Sequence, residues 1–184
     1  MQKVLILLAQ GCEELEAVTV IDLLRRAQLG VVTAGLAPGA VTASRGTVLV
    51  PDSTLEVELG RDFDLIVLPG GLPGARYLDE DPRVRALLRR QATAGRFIAA
   101  ICAAPKVLAA AGLLDGKRAT AYPGSVNAAE FPLVTLVTGP VVVDGRVVTS
   151  RGPGTAMDFA LCLIALLAGE ARRQAVESQL VRDL

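Results

Sequence analysis

The sequence predicts an α/β protein of the flavodoxin-like kind, a three-layer sandwich with a mostly parallel central sheet. Continuous apolar runs at residues 4–9, 64–68 and 97–101 read as strands buried on both faces. Amphipathic stretches lie between those runs, and Gly, Pro and Asp punctuate the boundaries. At 184 residues the chain is expected to form one domain spanning 1–184.

Each element has a local reason. Residues 4–9 form a first strand, and 13–27 follow with helical periodicity. A second strand covers 29–35, and 41–43 with 47–50 suggest a short hairpin. After strand 64–68, a helix is expected over 82–94, with Asp81 as cap and Pro82 at its first position. Strand 97–101 leads into a small-residue helix, 103–111, closed by Gly112. Strands are expected at 134–138, 141–143 and 147–150, with Asp144-Gly145 turning between the last two. A very apolar helix, 155–168, stops at Gly169, and a final amphipathic helix covers 171–184.

Composition removes several functions. The 19 basic residues balance the 19 acidic ones and only 3% of residues are aromatic, so no nucleic-acid partner is expected. The chain has no histidine, which excludes a Ser-His-Asp or Cys-His triad and any His-ligated metal within it. No metal and no organic cofactor are expected. Cys12, Cys102 and Cys162 are odd in number and widely spaced, which fits free thiols in a reducing cytoplasm. The apolar run at 4–9 is shorter than the ~7–15 residues of a signal core. The run at 159–168 is half the ~20 residues of a membrane span, so a soluble protein is expected.

Ligands of such sheets bind beyond the carboxyl ends of the strands. Cys102 ends one apolar strand and opens a helix, with small Ala99, Ala100, Ala103 and Ala104 around it. That corner has the pattern of a nucleophile elbow, and a helix amino end favours thiolate over thiol. Cys162, inside an apolar run, reads as a core residue, and Cys12, beside three carboxylates, as a spectator. Glu16 shares a helix face with Val20, Leu23 and Ala27. It is either a buried acid with a raised pKa or a solvated first-turn acid; Glu13 and Glu14 suit the second role. Gly70 and Gly71, after Pro69, form either an ordinary turn or an oxyanion hole of backbone N–H groups. Gly70 to Gly74 lacks the dinucleotide-binding spacing, and Gly112 to Lys117 is one residue short of a P-loop.

Several segments in this order resemble the ThiJ/PfpI superfamily, in the branch of the parkinsonism-associated protein deglycase and bacterial YajL. They are Glu13-Glu14-Leu15-Glu16, Ile21-Asp22-Leu23-Leu24-Arg25-Arg26, Ser44-Arg45-Gly46, Val67-Leu68-Pro69-Gly70-Gly71, residues 99–105 and Thr149-Ser150-Arg151-Gly152-Pro153-Gly154-Thr155. The resemblance implies a homodimer, with Cys102 as the reactive cysteine and Glu16 as a protonated acid hydrogen-bonded to it. It implies an anion pocket from Gly70, Gly71 and Ala103, with Arg26, Arg45, Tyr122 and Pro153 supporting the pocket or the dimer contact. Two departures stand out. Ala103 replaces the His that follows the nucleophile in protease-like branches, which argues against peptidase activity. Tyr122 stands where the deglycase branch often has His, and a phenol is a poor base near neutral pH. Two activities are therefore expected of one pocket. One is glyoxalase or deglycase turnover of small α-oxoaldehydes and glycated proteins. The other is redox sensing or chaperone action through oxidation of Cys102 to sulfinate.

Overall fold

The computed structural model describes residues 1–182. In chain order the elements are β1 (Lys3–Leu8), α1 (Glu14–Arg26), β2 (Gly30–Gly35), β3 (Val41–Thr42), β4 (Val48–Leu49), β5 (Ser53–Thr54), α2 (Leu55–Glu58), β6 (Leu65–Leu68) and α3 (Leu72–Glu80). They continue with α4 (Pro82–Thr93), β7 (Phe97–Ile101), α5 (Pro105–Ala110), β8 (Arg118–Ala119), β9 (Thr135–Leu136), β10 (Val141–Asp144), β11 (Val147–Ser150), a 3-10 turn (Pro153–Thr155), α6 (Ala156–Ala168) and α7 (Glu170–Gln179).

Seven strands make one sheet in the order β10-β11-β7-β6-β1-β2-β5, parallel except for the β10–β11 hairpin. The five central positions follow a flavodoxin-like order, which reverses direction at the β1/β6 boundary. Strand side chains alternate between faces. Val4, Ile6 and Leu8 of β1, with Leu65 and Val67 of β6, pack under α1 and α6. Leu5 and Leu7, with Ile66 and Leu68, pack under α2 to α5. Both faces are covered, so the strands read as unbroken apolar runs. Each fully buried Leu or Ile gains ~1.5–3 kcal/mol over an exposed one.

The hairpin of β3 and β4 pairs as expected, and Asp81 caps α4 by accepting from the Arg83 N–H at 2.9 Å. Four local readings differ. Helix α3 was not foreseen, because Pro73 and Gly74 read as turn residues. Pro is tolerated in a first helical turn, and Gly74 is there for clearance: a Cβ on it would lie 2.8 Å from Cys12 N and Cα. The expected strand 134–138 shrinks to β9, which pairs with β8. The turn between β10 and β11 is Gly145-Arg146, since Asp144 still pairs with Val147; Gly145 takes φ 61°. The last helix stops at Gln179, Val181 takes φ 50°, and the expected continuation through 183–184 lies outside the described residues. No helix among the described residues is long and apolar enough to cross a membrane.

Candidate active site

The carboxyl ends of β1, β6 and β7 converge at the point where the strand order reverses. Each supplies one part of the site. After β7, Cys102 makes the turn into α5 with φ 64°, a left-handed conformation that costs a non-glycine residue about 1–3 kcal/mol. Three contacts hold it there. The Cys102 N–H donates to Ser150 O at 3.0 Å, and Cys102 O accepts from the Tyr122 N–H at 2.8 Å. The same carbonyl accepts from Ser125 Oγ at 3.3 Å. Ser150 ends β11 beside β7, so the neighbouring strand pins the strained residue.

From α1, Glu16 points inward and is fully buried, with Val20, Leu23 and Ala27 on the same buried stripe. This settles its position in favour of the buried-acid reading. Its Oε2 accepts from the Gly70 N–H at 2.8 Å, while Oε1 is buried with no hydrogen-bond partner. Burial, the largest influence, pushes Glu16 up to about 7, against opposing hydrogen bonds from Gly70 and Cys102.

The glycines after β6 are required by contact. A Cβ on Gly70 would lie 2.6 Å from Cys102 Cβ and 2.7 Å from Glu16 Oε2. A Cβ on Gly71, at φ 89°, would collide with Gly11 O and lie 2.7 Å from Glu13 N. The bare backbone leaves the N–H groups of Gly71 and Ala103 close enough to the Cys102 sulfur to favour its thiolate. The structure thus brings Cys102, Glu16, Gly70, Gly71 and Ala103 into one cluster.

The acidic thiol expected from the sequence is not what this environment favours. Burial first, then the charge and hydrogen bond of Glu16, push Cys102 up to about 12, outweighing both N–H groups. Helix α5 has only six residues and starts at Pro105, which leaves little dipole at Cys102. In this pair Glu16 releases its proton before the thiol does. Above about pH 7 a carboxylate therefore faces a protonated thiol, and thiolate forms as that proton is taken.

The outer ring is mixed. Tyr122 is half exposed, its backbone is tied to Cys102, and its ring lies against Gly152, just before Pro153. Arg45 is brought near through its backbone N–H, which donates to Glu14 at 3.0 Å; its side chain is exposed. Arg26 is not at this pocket. It lies ten residues beyond Glu16 on α1, about 15 Å along the helix axis. It also pairs with Asp22 at 2.7 Å, one turn back on the same helix. Cys12 is fully buried, and burial followed by the Glu14 charge pushes it up to about 11, as a spectator should be. Cys162 is only half buried, so the apolar run around it overstated its enclosure.

Sequence reasoning missed three contributors. Ser125 and Ser150 act on Cys102 through backbone geometry that no spacing reveals. Glu14 is not a simple solvated acid: it accepts from Ser44 Oγ at 3.0 Å and from the N–H groups of Arg45 and Thr47, fastening the β3–β4 hairpin to α1. A signal for that clamp was present in Ser44-Arg45-Gly46, a tight turn with two donors. A cleft of about 650 Å³ lies away from this cluster, between Leu36, Val41, Tyr77 and Arg83, and contains none of the three cysteines.

The family model described as DJ-1/PfpI family matches residues 2–166. Protein dj-1beta of Drosophila melanogaster is 44% identical over 178 residues, covering 96% of this chain and 95% of that protein. Its crystal structure superposes with a TM-score of 0.95 at 42% identity, over 100% of this chain and 99% of the other. An oxidised DJ-1 of Toxoplasma gondii gives a TM-score of 0.93 at 36% identity, covering all of both chains. A Caenorhabditis elegans protein named glutathione-independent glyoxalase DJR-1.2 is 38% identical over 160 residues, covering 87% of this chain and 85% of that one.

Proposed function

The chain belongs to the DJ-1/PfpI family, and on that premise we propose that it is a cysteine-based stress-response protein acting on α-oxoaldehydes and their protein adducts. Cys102 is the nucleophile and Glu16 the proton carrier, with no metal or organic cofactor. The observation that carries this reading is the Glu16–Cys102 pair, in which a buried carboxyl poised at about 7 lies beside a strained cysteine across Gly70. A general base works best with a pKa near the working pH. The glyoxalase name of one relative supports the same chemistry.

The reaction balances without a co-reactant other than water. Glu16 takes the thiol proton as sulfur adds to the aldehyde carbon, and the proton passes to the carbonyl oxygen, giving a hemithioacetal. Glu16 then moves the proton of that carbon to the adjacent ketone carbon, while the hydroxyl proton of the first carbon passes to the ketone oxygen. The first carbon is oxidised to a thioester and the second is reduced to an alcohol. Water hydrolyses the thioester, returns the thiol and releases a 2-hydroxy acid. The N–H groups of Gly71 and Ala103 stabilise negative charge at sulfur during attack and departure.

Oxidative sensing is the second reading, favoured by Tyr122 and the absence of any histidine base. Peroxide would convert Cys102 to sulfenate with loss of water, and a second peroxide would give sulfinate, held by the same donors. The dimer belongs to both readings. Leu15 and Val18 of α1 and Val48 and Val50 around β4 are exposed, and such a patch suits a two-fold contact with a second copy. Three free thiols suit a reducing cytoplasm. The test is lactate formation from methylglyoxal. Wild type should produce it and Cys102→Ser should not; equal yields from both would remove Cys102 from the chemistry.

A further inference from the structure

Beside the Cys102 turn lies a cleft of about 250 Å³ between α3 and α5. One wall is Ala103, Lys106 and Ser125; the other includes Leu72, Arg76 and Asp79. It adjoins the reactive cluster, because Ala103 follows Cys102 in the chain and lines the cleft, and Ser125, also in its wall, donates to the Cys102 carbonyl. From the cationic wall of this cleft we infer that it is a subsite for a carboxylate, and that the preferred substrates are α-oxoaldehydes whose tail ends in one.

The charges lining the cleft do not cancel. Asp79 is already engaged by Arg85 at 3.4 Å. Arg76 is held only loosely, by Glu80 at 3.7 Å across a solvent-exposed helix turn. Lys106 is exposed and makes no ion pair among the described residues. Two basic residues therefore line the cleft with one acid that is otherwise occupied. Lys106 follows Cys102 by four residues, and its N–H donates to Ala103 O at 3.3 Å, so its stem leaves the same turn that presents the sulfur. Only four residues separate the nucleophile from the Lys106 cation, so a short tail is the one that would bring a carboxylate to it. A small cleft with an apolar wall, Leu72 and Ala75, also limits the tail to a few carbons.

This inference rests on the oxoaldehyde reading, and the test separates the two. The probes are 4,5-dioxopentanoate and its neutral methyl ester, which share one reacting end, with methylglyoxal as the reference. The products are the corresponding 2-hydroxy acids, formed by the internal oxidation and reduction above plus one water. Within each variant, the kcat/KM ratio of acid to ester is read, so losses in folding or nucleophile reactivity cancel. A charge-assisted hydrogen bond to the tail should give the wild type a preference for the acid of about ten-fold. Lys106→Gln should remove most of it, and Lys106→Glu should reverse it. Equal handling of acid and ester by the wild type overturns the subsite. So does a preference that survives both Lys106→Glu and Arg76→Glu. If methylglyoxal and both probes all fail to react, the oxoaldehyde reading falls, and alkylation of Cys102 decides the subsite. The rate ratio of iodoacetate to iodoacetamide, mapped by mass, should drop in Lys106→Glu, and an unchanged ratio overturns it.

Discussion

Glu14 and Glu16 are two residues apart on α1, yet the first carboxyl is held down to about 2 and the second is pushed up to about 7. Both lose some hydration, and that is the largest single influence on each, raising both. The difference lies in what replaces the water. Glu14 faces outward and gains N–H donors from its own residue, Arg45 and Thr47 and the Ser44 hydroxyl, which together outweigh the desolvation. Glu16 faces inward and gains one backbone N–H, from Gly70, and the Cys102 thiol, which do not. One glutamate is an ionised clamp for a hairpin; the other is an acid able to exchange a proton near neutral pH. Burial and donor supply together decide which role a carboxylate takes.

The largest expected effect is on the pH dependence of stability. The folded pKa of Glu16 is raised from 4.5 to about 7, so the folded state binds the extra proton between those values. Its contribution is fully present below about 4.5 and is lost as pH rises through about 7, a change of about 3 kcal/mol. Urea unfolding at pH 5 and pH 8 should show wild type losing most of that, about 2.5 kcal/mol, and Glu16→Gln losing almost none of it. The stabilisation from Glu14 has the opposite sign and is lost only as pH falls toward 2, outside this window. The Cys102 thiol supplies a second reading of the same variant. Removing the Glu16 charge should lower its titration from about 12, though burial keeps it above an ordinary thiol. A rise instead would mean that Glu16 stabilises a standing thiolate.

A smaller effect is expected from the glycine that holds the inner acid. Gly70→Ala places a methyl 2.6 Å from Cys102 Cβ and 2.7 Å from Glu16 Oε2. Overpacking of this kind costs about 1–3 kcal/mol and should separate the pair. Thermal unfolding at wild-type stability with an unmoved thiol titration would show that the contact is not needed. The smallest effect is at the outer acid. Glu14→Ala removes the acceptor for the Arg45 and Thr47 N–H groups, so those two amides should exchange faster while the rest of β1 and α1 keep their protection. Unchanged exchange at both would mean that the hairpin is held by its other contacts, such as Ser44 N–H to Cys12 O and Gly11 N–H to Thr42 O, both at 2.8 Å.

Much of this was legible in the chain. The strands at 4–9, 64–68 and 97–101 showed themselves because parallel strands covered on both faces must be apolar throughout. The Glu16 stripe was visible at helical spacing, and Cys102 at a strand-to-helix corner among alanines. Helix α3 was hidden because Gly74 is set by the nearness of Cys12, a neighbour 62 residues away in sequence. The thiol was misjudged for a related reason. A helix amino end is a local feature and can be seen in a sequence, whereas burial is a property of everything packed around the sulfur.

The sequence by itself determined the central strands and most of the longer helices around them, the pair of residue types at the reactive centre, and the exclusion of histidine chemistry. Those follow from periodicity, from turn residues and from the presence or absence of particular side chains, all of which are written along the chain. Only the tertiary structure decided which of Glu13, Glu14 and Glu16 is buried with too few donors. It also decided that Gly70 must be bare and that Lys106 and Arg76 line one cleft. Those outcomes depend on desolvation and on contacts between residues far apart in sequence, and both arise only when the strand ends have come together.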